Sequence, residues 1–244
     1  MFYIVGLALL AGGLSAIDLS PIYAAFRQAD YAGTIALCEQ NMATAKNNFE
    51  KRSVIAYRIY SQIRLRKLTT SAAALSEFDR LASSVGFTGN TDSVRVMIFE
   101  LCGEHLQAAE AGKNSSDPGA RYRAALNLGK LQRFEEAAAL AAGTNLSHGY
   151  YTAVNFAKKA KLPEKVYEYA LAGLNAGKLT DPASVRRVVN YMLDTDFTGT
   201  AISDAKIKVF LQTVNRRCSR YLKPGVVTGW DETIQLVRQT LEAF

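Results

Sequence analysis

Ala29-Asp30-Tyr31-Ala32-Gly33-Thr34-Ile35 returns near the far end of the chain as Thr195-Asp196-Phe197-Thr198-Gly199-Thr200-Ala201. In each copy an acid precedes an aromatic, and small residues follow. The copies stand 166 residues apart, close to five periods of about 33, a spacing used by helical-hairpin repeats. Pro21, Pro118 and Pro182 keep similar time, each following Ser or Asp and opening an apolar stretch with helical spacing. Proline suits the first position of a helix, because the N–H it lacks has no intrahelical partner there. Its intervals of 97 and 64 residues are near three and two periods of about 32. This metre predicts an all-α fold, an α-solenoid of stacked antiparallel helix pairs with a period of about 32–34 residues.

Working outward, helices are expected over 20–28, from Asp30-Tyr31 through Cys38, over 48–67, 71–85, 92–102, 105–111, 118–131, 133–142, 150–160, 163–176, 182–193, 203–221 and 230–244. Apolar residues in these windows recur at three- and four-residue spacing, as Val54, Ile55, Ile59 and Ile63 do. Gly143, Gly177 and Pro224-Gly225 act as stops. The polar run Lys113–Gly119 reads as a turn between repeats, since the metre continues through it. The last helix is placed to cap the stack.

Composition agrees with one helical domain over 17–244. Hydrophobic residues make up 49% of the 244 positions, enough for a core and too many for a disordered chain. The net charge of +7 favours anionic partners mildly, because the 22 acids are interspersed. Cys38, Cys102 and Cys218 are odd in number, widely spaced and set in apolar helical patterns, which reads as free buried thiols. Residues 1–16 hold no charge, and Phe2 to Leu14 is apolar. That length suits an export signal better than a membrane span of about 20 residues. Small residues after it allow cleavage after Gly13, Ser15 or Ala16. Without a basic start, the alternatives are a buried helix or an uncleaved anchor. Export to the periplasm or medium is the favoured location, with the cytoplasm as alternative, and membrane attachment is expected only if this segment is retained.

The turn Leu131-Gln132-Arg133-Phe134-Glu135-Glu136-Ala137 resembles the turn between the paired helices of tetratricopeptide repeats. Asp30-Tyr31-Ala32-Gly33-Thr34 and Asp196-Phe197-Thr198-Gly199-Thr200 are similar but lack the acids. The resemblance implies that Phe134, Tyr31 and Phe197 pack between paired helices, that Ala137 permits their close approach, and that the chain binds a protein or peptide. The Trp-x-x-Leu-Gly signature of that family is absent, and its closing proline is absent or displaced.

Motifs for catalysis reduce to helix punctuation. Gly173-Leu174-Asn175-Ala176-Gly177-Lys178-Leu179-Thr180 is one residue short of a phosphate-binding loop and lacks a hydroxyl after Lys178; Gly177 as a helix stop explains it. Ser203-Asp204-Ala205-Lys206 fits Ser-x-x-Lys without that motif's companions, so Ser203 reads as a helix cap. His105 follows Cys102 by three residues and His148 stands apart; neither belongs to a second pair at zinc spacing. Asn114-Ser-Ser116 and Asn145-Leu-Ser147 match the glycosylation pattern, which has meaning only in a eukaryotic secretory chain. The chain is expected to be no enzyme and to carry no metal or cofactor.

Basic clusters are the clearest candidates for binding. Arg58, Arg64 and Arg66 lie with Lys51, Arg52 and Lys67 on one helix beside Tyr57 and Tyr60. Arg216, Arg220 and Lys223 recur at four and three residues on another, a segment without acids from 205 to 223. Lys158, Lys159, Lys161 and Lys165 make a smaller patch. The expected function is a scaffold holding a partner protein or peptide on a concave face. The alternative is a basic repeat protein binding nucleic acid or another polyanion, with solvated faces as the plain reading of the clusters.

Overall fold

A computed structural model describes residues 17–226 and 228–244. Residues 1–16, on which the expected export segment falls, lie outside the described residues. Among the described residues the elements are thirteen α-helices and one short 3-10 helix, with no strand. No helix among them is long and apolar enough to cross a membrane. The chain packs as two compact units, one through Val94 and one over Arg95–Phe244, where the sequence reading has a single repeat domain. No break in composition marks that point, since Val94 and Val96 are both buried positions of one helix.

In the first unit α1 spans Ser20–Arg27, α2 Tyr31–Met42, α3 Asn48–Arg64 and α4 Ser71–Ser84. Consecutive helices pack against one another. Ile17, Leu19, Ile22, Cys38, Ala45 and Val54 form a core cluster, with Tyr23, Leu37, Met42 and Tyr57 against it. At the start of α3 the fully buried Glu50 accepts from the Lys46 amide and from Asn47 Nδ2, each at 2.8 Å, while Asn47 caps the Glu50 N–H at 2.9 Å. That exchange satisfies orphan donors of the helix and fixes the α2–α3 link.

α5 spans Asp92–Leu101 and carries the chain into the second unit. There follow α6 (His105–Lys113), α7 (Pro118–Lys130), α8 (Phe134–Gly143), α9 (Ser147–Lys159), α10 (Pro163–Asn175), α11 (Pro182–Leu193), α12 (Asp204–Cys218), a 3-10 turn (Ser219–Tyr221) and α13 (Gly229–Ala243). Proline stands at the first position of α7, α10 and α11 and the second of α1, as the sequence predicts. Val154, Phe156, Val166, Val188, Met192, Phe210 and Val237 belong to one core spanning α9 to α13. Trp230, at the capped start of α13, is buried and stacks on Tyr221 at 4.7 Å and 19°.

One link recurs four times. The first helix closes on a residue with left-handed backbone: Ala29 (φ 60), Gly103 (φ 79), Gln132 (φ 61) and Lys161 (φ 56). Its N–H returns to the carbonyl three residues back, at 3.0–3.1 Å. The N–H that follows reaches five back: Asp30 to Ala25, Glu104 to Phe99, Arg133 to Leu128 and Leu162 to Ala157, all within 2.9–3.0 Å. This is the Schellman closure. That same residue, with ψ between 61 and 78°, is the N-cap of the next helix.

Gly103, Gln132 and Lys161 are 29 residues apart. The metre across α5–α10 is therefore 29, three to five residues shorter than the expected 32–34, because these helices are only 9–13 residues long. Burial keeps the same time. Ile98, Asn127, Phe156 and Val185 are spaced by 29 and buried; so are Ala108, Ala137 and Val166, and Gly112, Ala141 and Ala170. At Gly112 the helices meet so closely that a Cβ would lie 2.6 Å from the Ala120 carbonyl oxygen.

The quoted phrase does not repeat in structure. Asp30 and Tyr31 cap and open α2, whereas Asp196 and Phe197 fall in the loop between α11 and α12, where Gly199 is the left-handed residue. Asp196 Oδ1 accepts from the Thr198 amide at 2.9 Å, a local turn and not a helix start.

Left-handed backbone strains any residue with a Cβ. Gln132→Gly and Lys161→Gly are each expected to stabilise the chain by about 0.5–1 kcal/mol, and Gly103→Ala to destabilise it by about 1 kcal/mol. Thermal unfolding followed by circular dichroism checks the signs; a lowered melting temperature for both glycine variants would contradict the link geometry.

Candidate functional site

The basic residues singled out by sequence divide into structural and exposed groups. Arg58 belongs to the first. It lies between Glu39 of α2 at 3.1 Å and Glu77 of α4 at 3.7 Å, with its side chain only 18% exposed. It clamps three helices, which corrects its reading as part of a free basic face. Arg64 and Arg66 are exposed at the end of α3, and Arg66 is a left-handed residue closing that helix. Tyr57 and Tyr60 pack with Tyr23, Phe26 and Tyr31 in a mutual ring cluster, at centroid distances of 5.0–6.4 Å.

In the second unit Arg216, Arg220 and Lys223 are all exposed. Their neighbour Arg217 instead donates to the terminal carbonyls of α10, at Leu174 and Asn175. Of the smaller patch, Lys158 pairs with Asp194 at 3.2 Å and Lys165 with Glu168 at 2.6 Å. Lys159 lies over the stacked rings of Phe134 and Phe156, and Lys161 forms the link. Phe134, at the start of α8, stacks on Phe156 of α9, and Ala137 is fully buried on α8.

Sequence reasoning missed a ladder of side chains on the first helices of successive pairs. On α5 and α7, Glu100 accepts from Arg123 at 3.1 Å and Lys130 at 3.0 Å. Burial pushes the Glu100 carboxyl up, but Lys130 and Arg123 outweigh it and hold it below its ordinary value. Between α7 and α9, Tyr122 Oη meets Thr152 Oγ1 at 3.1 Å, and the Tyr122 ring stands edge-on to His148 at 4.2 Å. Between α9 and α11, Tyr151 and Tyr191 lie parallel, at 6.4 Å and 12°. Arg187 covers Tyr151 at 5.4 Å and donates to its hydroxyl at 3.2 Å. Lys158 covers Tyr191 at 5.3 Å. Burial, then the neighbouring Tyr151, raises the Tyr191 hydroxyl above its usual range. The 29-residue period was the signal to look for: Tyr122 and Tyr151 share a position, as do Lys158 and Arg187.

Groups able to do chemistry are occupied. His105 Nδ1 meets Asn127 Oδ1 at 2.8 Å, and the fully buried Asn127 donates its Nδ2 to the Arg123 carbonyl. Neither histidine bonds to Ser or Cys among the described residues. Burial pushes the Cys38 thiol up to about 12 and the Cys218 thiol up to about 11, and also raises Cys102, so no thiolate forms at neutral pH. Among the described residues no cluster of His, Cys, Asp and Glu could hold a metal. Gly177, with φ 64, closes α10 as a helix stop. Ser203 occupies the N-cap position of α12 but makes no side-chain cap bond. Two shallow depressions, of about 260 and 390 Å³, lie beside α13 and beside the α11–α12 loop. No family model, curated protein or solved structure matches the chain.

Burial holds His148 below its ordinary 6.5. The unfolded chain binds a proton near pH 6.5 that the folded chain refuses, so the contribution to stability is full above that pH and falls as pH drops through it. An NMR titration is expected to place the His148 midpoint below 6.5, and His148→Gln to flatten the fall in melting temperature just below that pH. A midpoint at or above 6.5 would contradict the packing of its ring.

Proposed function

We propose that the chain is a tetratricopeptide-like helical-repeat scaffold, an α-solenoid whose first helices present one face to a partner protein or peptide. One observation carries the reading: the link geometry and the buried positions recur with the same 29-residue period across α5–α10, and two ladder positions repeat at that spacing, Tyr122 with Tyr151 and Lys158 with Arg187. Recurrence at fixed spacing makes each helix pair a unit that buries its apolar face only against its neighbours. α13 then serves as the end cap, with Gln235, Arg238, Gln239 and Glu242 exposed on its outer side.

The ladder suits protein recognition. It combines half-buried tyrosines with hydroxyl tips, cations laid over rings and the amide of half-buried Asn155, four residues after Tyr151 on α9, residues that offer large contact area at low conformational cost. Half-burial leaves each ring pre-positioned by its neighbour. The reading assigns the chain no catalysis.

Photo-crosslinking tests the face directly. A photoreactive residue at Asn155 or at Arg187 is expected to trap a discrete partner in native extract, whereas one at Glu164 or Glu168 on α10 is not. Tyr151→Ala should weaken capture at Asn155 by about tenfold, equivalent to one interface anchor of 1–2 kcal/mol. Equal trapping from α10 would sink the assignment of the face.

A further inference from the structure

A second surface lies apart from the ladder and stands independently of that reading. Lys206, Lys208, Arg216, Arg217, Arg220 and Lys223 follow one another with no acid between. Among the described residues none of the six forms an ion pair, whereas Lys113, Arg123, Lys130, Arg133, Lys158, Lys165 and Arg186 of the same unit pair with acids. Arg217 is spent on α10, which leaves Arg216, Arg220 and Lys223 exposed toward solvent. α13, packed alongside, brings a further cation, Arg238, whose Nε meets Asn215 Oδ1 at 3.3 Å. The acids of α13 nearest in sequence are engaged: Asp231 accepts from Thr228, and Glu232 pairs with Arg186.

Apolar groups are exposed beside these cations, one on α12 and one in the turn after it. Val209 is seven residues before Arg216 on α12, two helical turns along the same side, and is 56% exposed. Beyond the 3-10 turn, Lys223-Pro224-Gly225-Val226 is a tight turn, with the Val226 N–H on the Lys223 carbonyl at 3.2 Å and Gly225 at φ 74. Proline followed by a left-handed glycine makes this turn stiff. It holds Val226 out at 53% exposure beside Lys223.

Cations flanking exposed aliphatic groups suit the head-group boundary of a membrane, where the charges meet anionic lipid and the aliphatic groups leave water. Single-stranded nucleic acid would need an open ring for its bases. Tyr221, the aromatic at this place, has none to offer: Trp230 stacks on it at 4.7 Å and Arg220 covers it at 4.8 Å.

We propose that Arg216, Arg220, Lys223 and the exposed Val209 and Val226 form an interaction surface for an anionic lipid bilayer.

The test is sedimentation of the full chain with phosphatidylcholine vesicles, with and without phosphatidylglycerol. Binding is expected only where the anionic lipid is present, and it should fall with salt. Arg216→Gln with Lys223→Gln, which spares the Arg220–Tyr221–Trp230 stack, should cut partitioning roughly tenfold or more. Val226→Asn should cut it further without changing the melting temperature. Lys161→Gln removes a charge in the α9–α10 link, outside the proposed surface, and should leave partitioning unchanged. Equal binding to neutral vesicles, an equal loss with Lys161→Gln, or no loss with the double variant would overturn the proposal. So would binding to an oligonucleotide that the double variant loses while Val226→Asn has no effect on vesicles, which would make the cluster a nucleic-acid surface.

Discussion

A single left-handed residue at the end of each first helix sets the rest of the architecture. At Ala29, Gly103, Gln132 and Lys161 the backbone reverses, and the following N–H reaches five residues back. That residue is already the N-cap of the second helix. The reversal thus occupies three residues and leaves no slack: the second helix starts at a fixed rotation against the first. Helices of about 10–13 residues joined this way bring the same link round again after 29 residues. Side chains a period apart then fill equivalent slots.

Those slots tolerate different chemistry as long as their geometry is met. In the pair α5–α6 the residue opening the second helix is His105, which bonds to buried Asn127. In α7–α8 it is Phe134, which stacks on Phe156 at 6.1 Å, and Phe156 is the equivalent of Asn127. In α9–α10 it is Pro163, and the matching position is the buried Val185. A buried polar pair needs partners of its own, and Asn127 meets His105 at its Oδ1 and donates from its Nδ2 to the Arg123 carbonyl. A ring pair needs only shape. The close approach is less permissive: Gly112, Ala141 and Ala170 stay small in one slot, where a Cβ at Gly112 would meet the Ala120 carbonyl, whereas the slot of Ala108 and Ala137 admits Val166.

This explains what was legible in the sequence. Helix existence was, because apolar spacing, proline starts and glycine stops act locally; observed helix ends lie within a few residues of those expected. Of the four links, only Asp30-Tyr31 and Arg133-Phe134 carried a readable signal. Gly103-Glu104 and Lys161-Leu162 make the same backbone bonds, but Glu104 and Leu162 make no side-chain cap bond, so residue type marks only the glycine stop at 103 and nothing at 161. Asp196-Phe197 matched in letters and not in structure, because Gly199 instead of Thr195 takes the left-handed position there. The period was overestimated because it was measured between unlike places. Arg58 looked like one of a row of exposed cations; its acids, Glu39 and Glu77, come from other helices and are invisible to helix spacing. The Tyr151–Tyr191 pair was hidden for the same reason, since its partners meet only once α9 and α11 pack.

The central claim is that α5–α10 form a register of interchangeable 29-residue helix pairs. Deleting residues 118–146 removes one pair and joins Asp117 to Ser147, placing Gly149 and Ala153 where Ala120 and Ala124 stood and Phe156 where Asn127 met His105. Circular dichroism of this chain is expected to show a helical spectrum and a cooperative melt at reduced temperature. Deleting residues 113–146, which shifts the register by five residues, should abolish cooperative melting. If the in-register deletion also loses its cooperative melt, or if the two deletions behave alike, the repeat account is wrong.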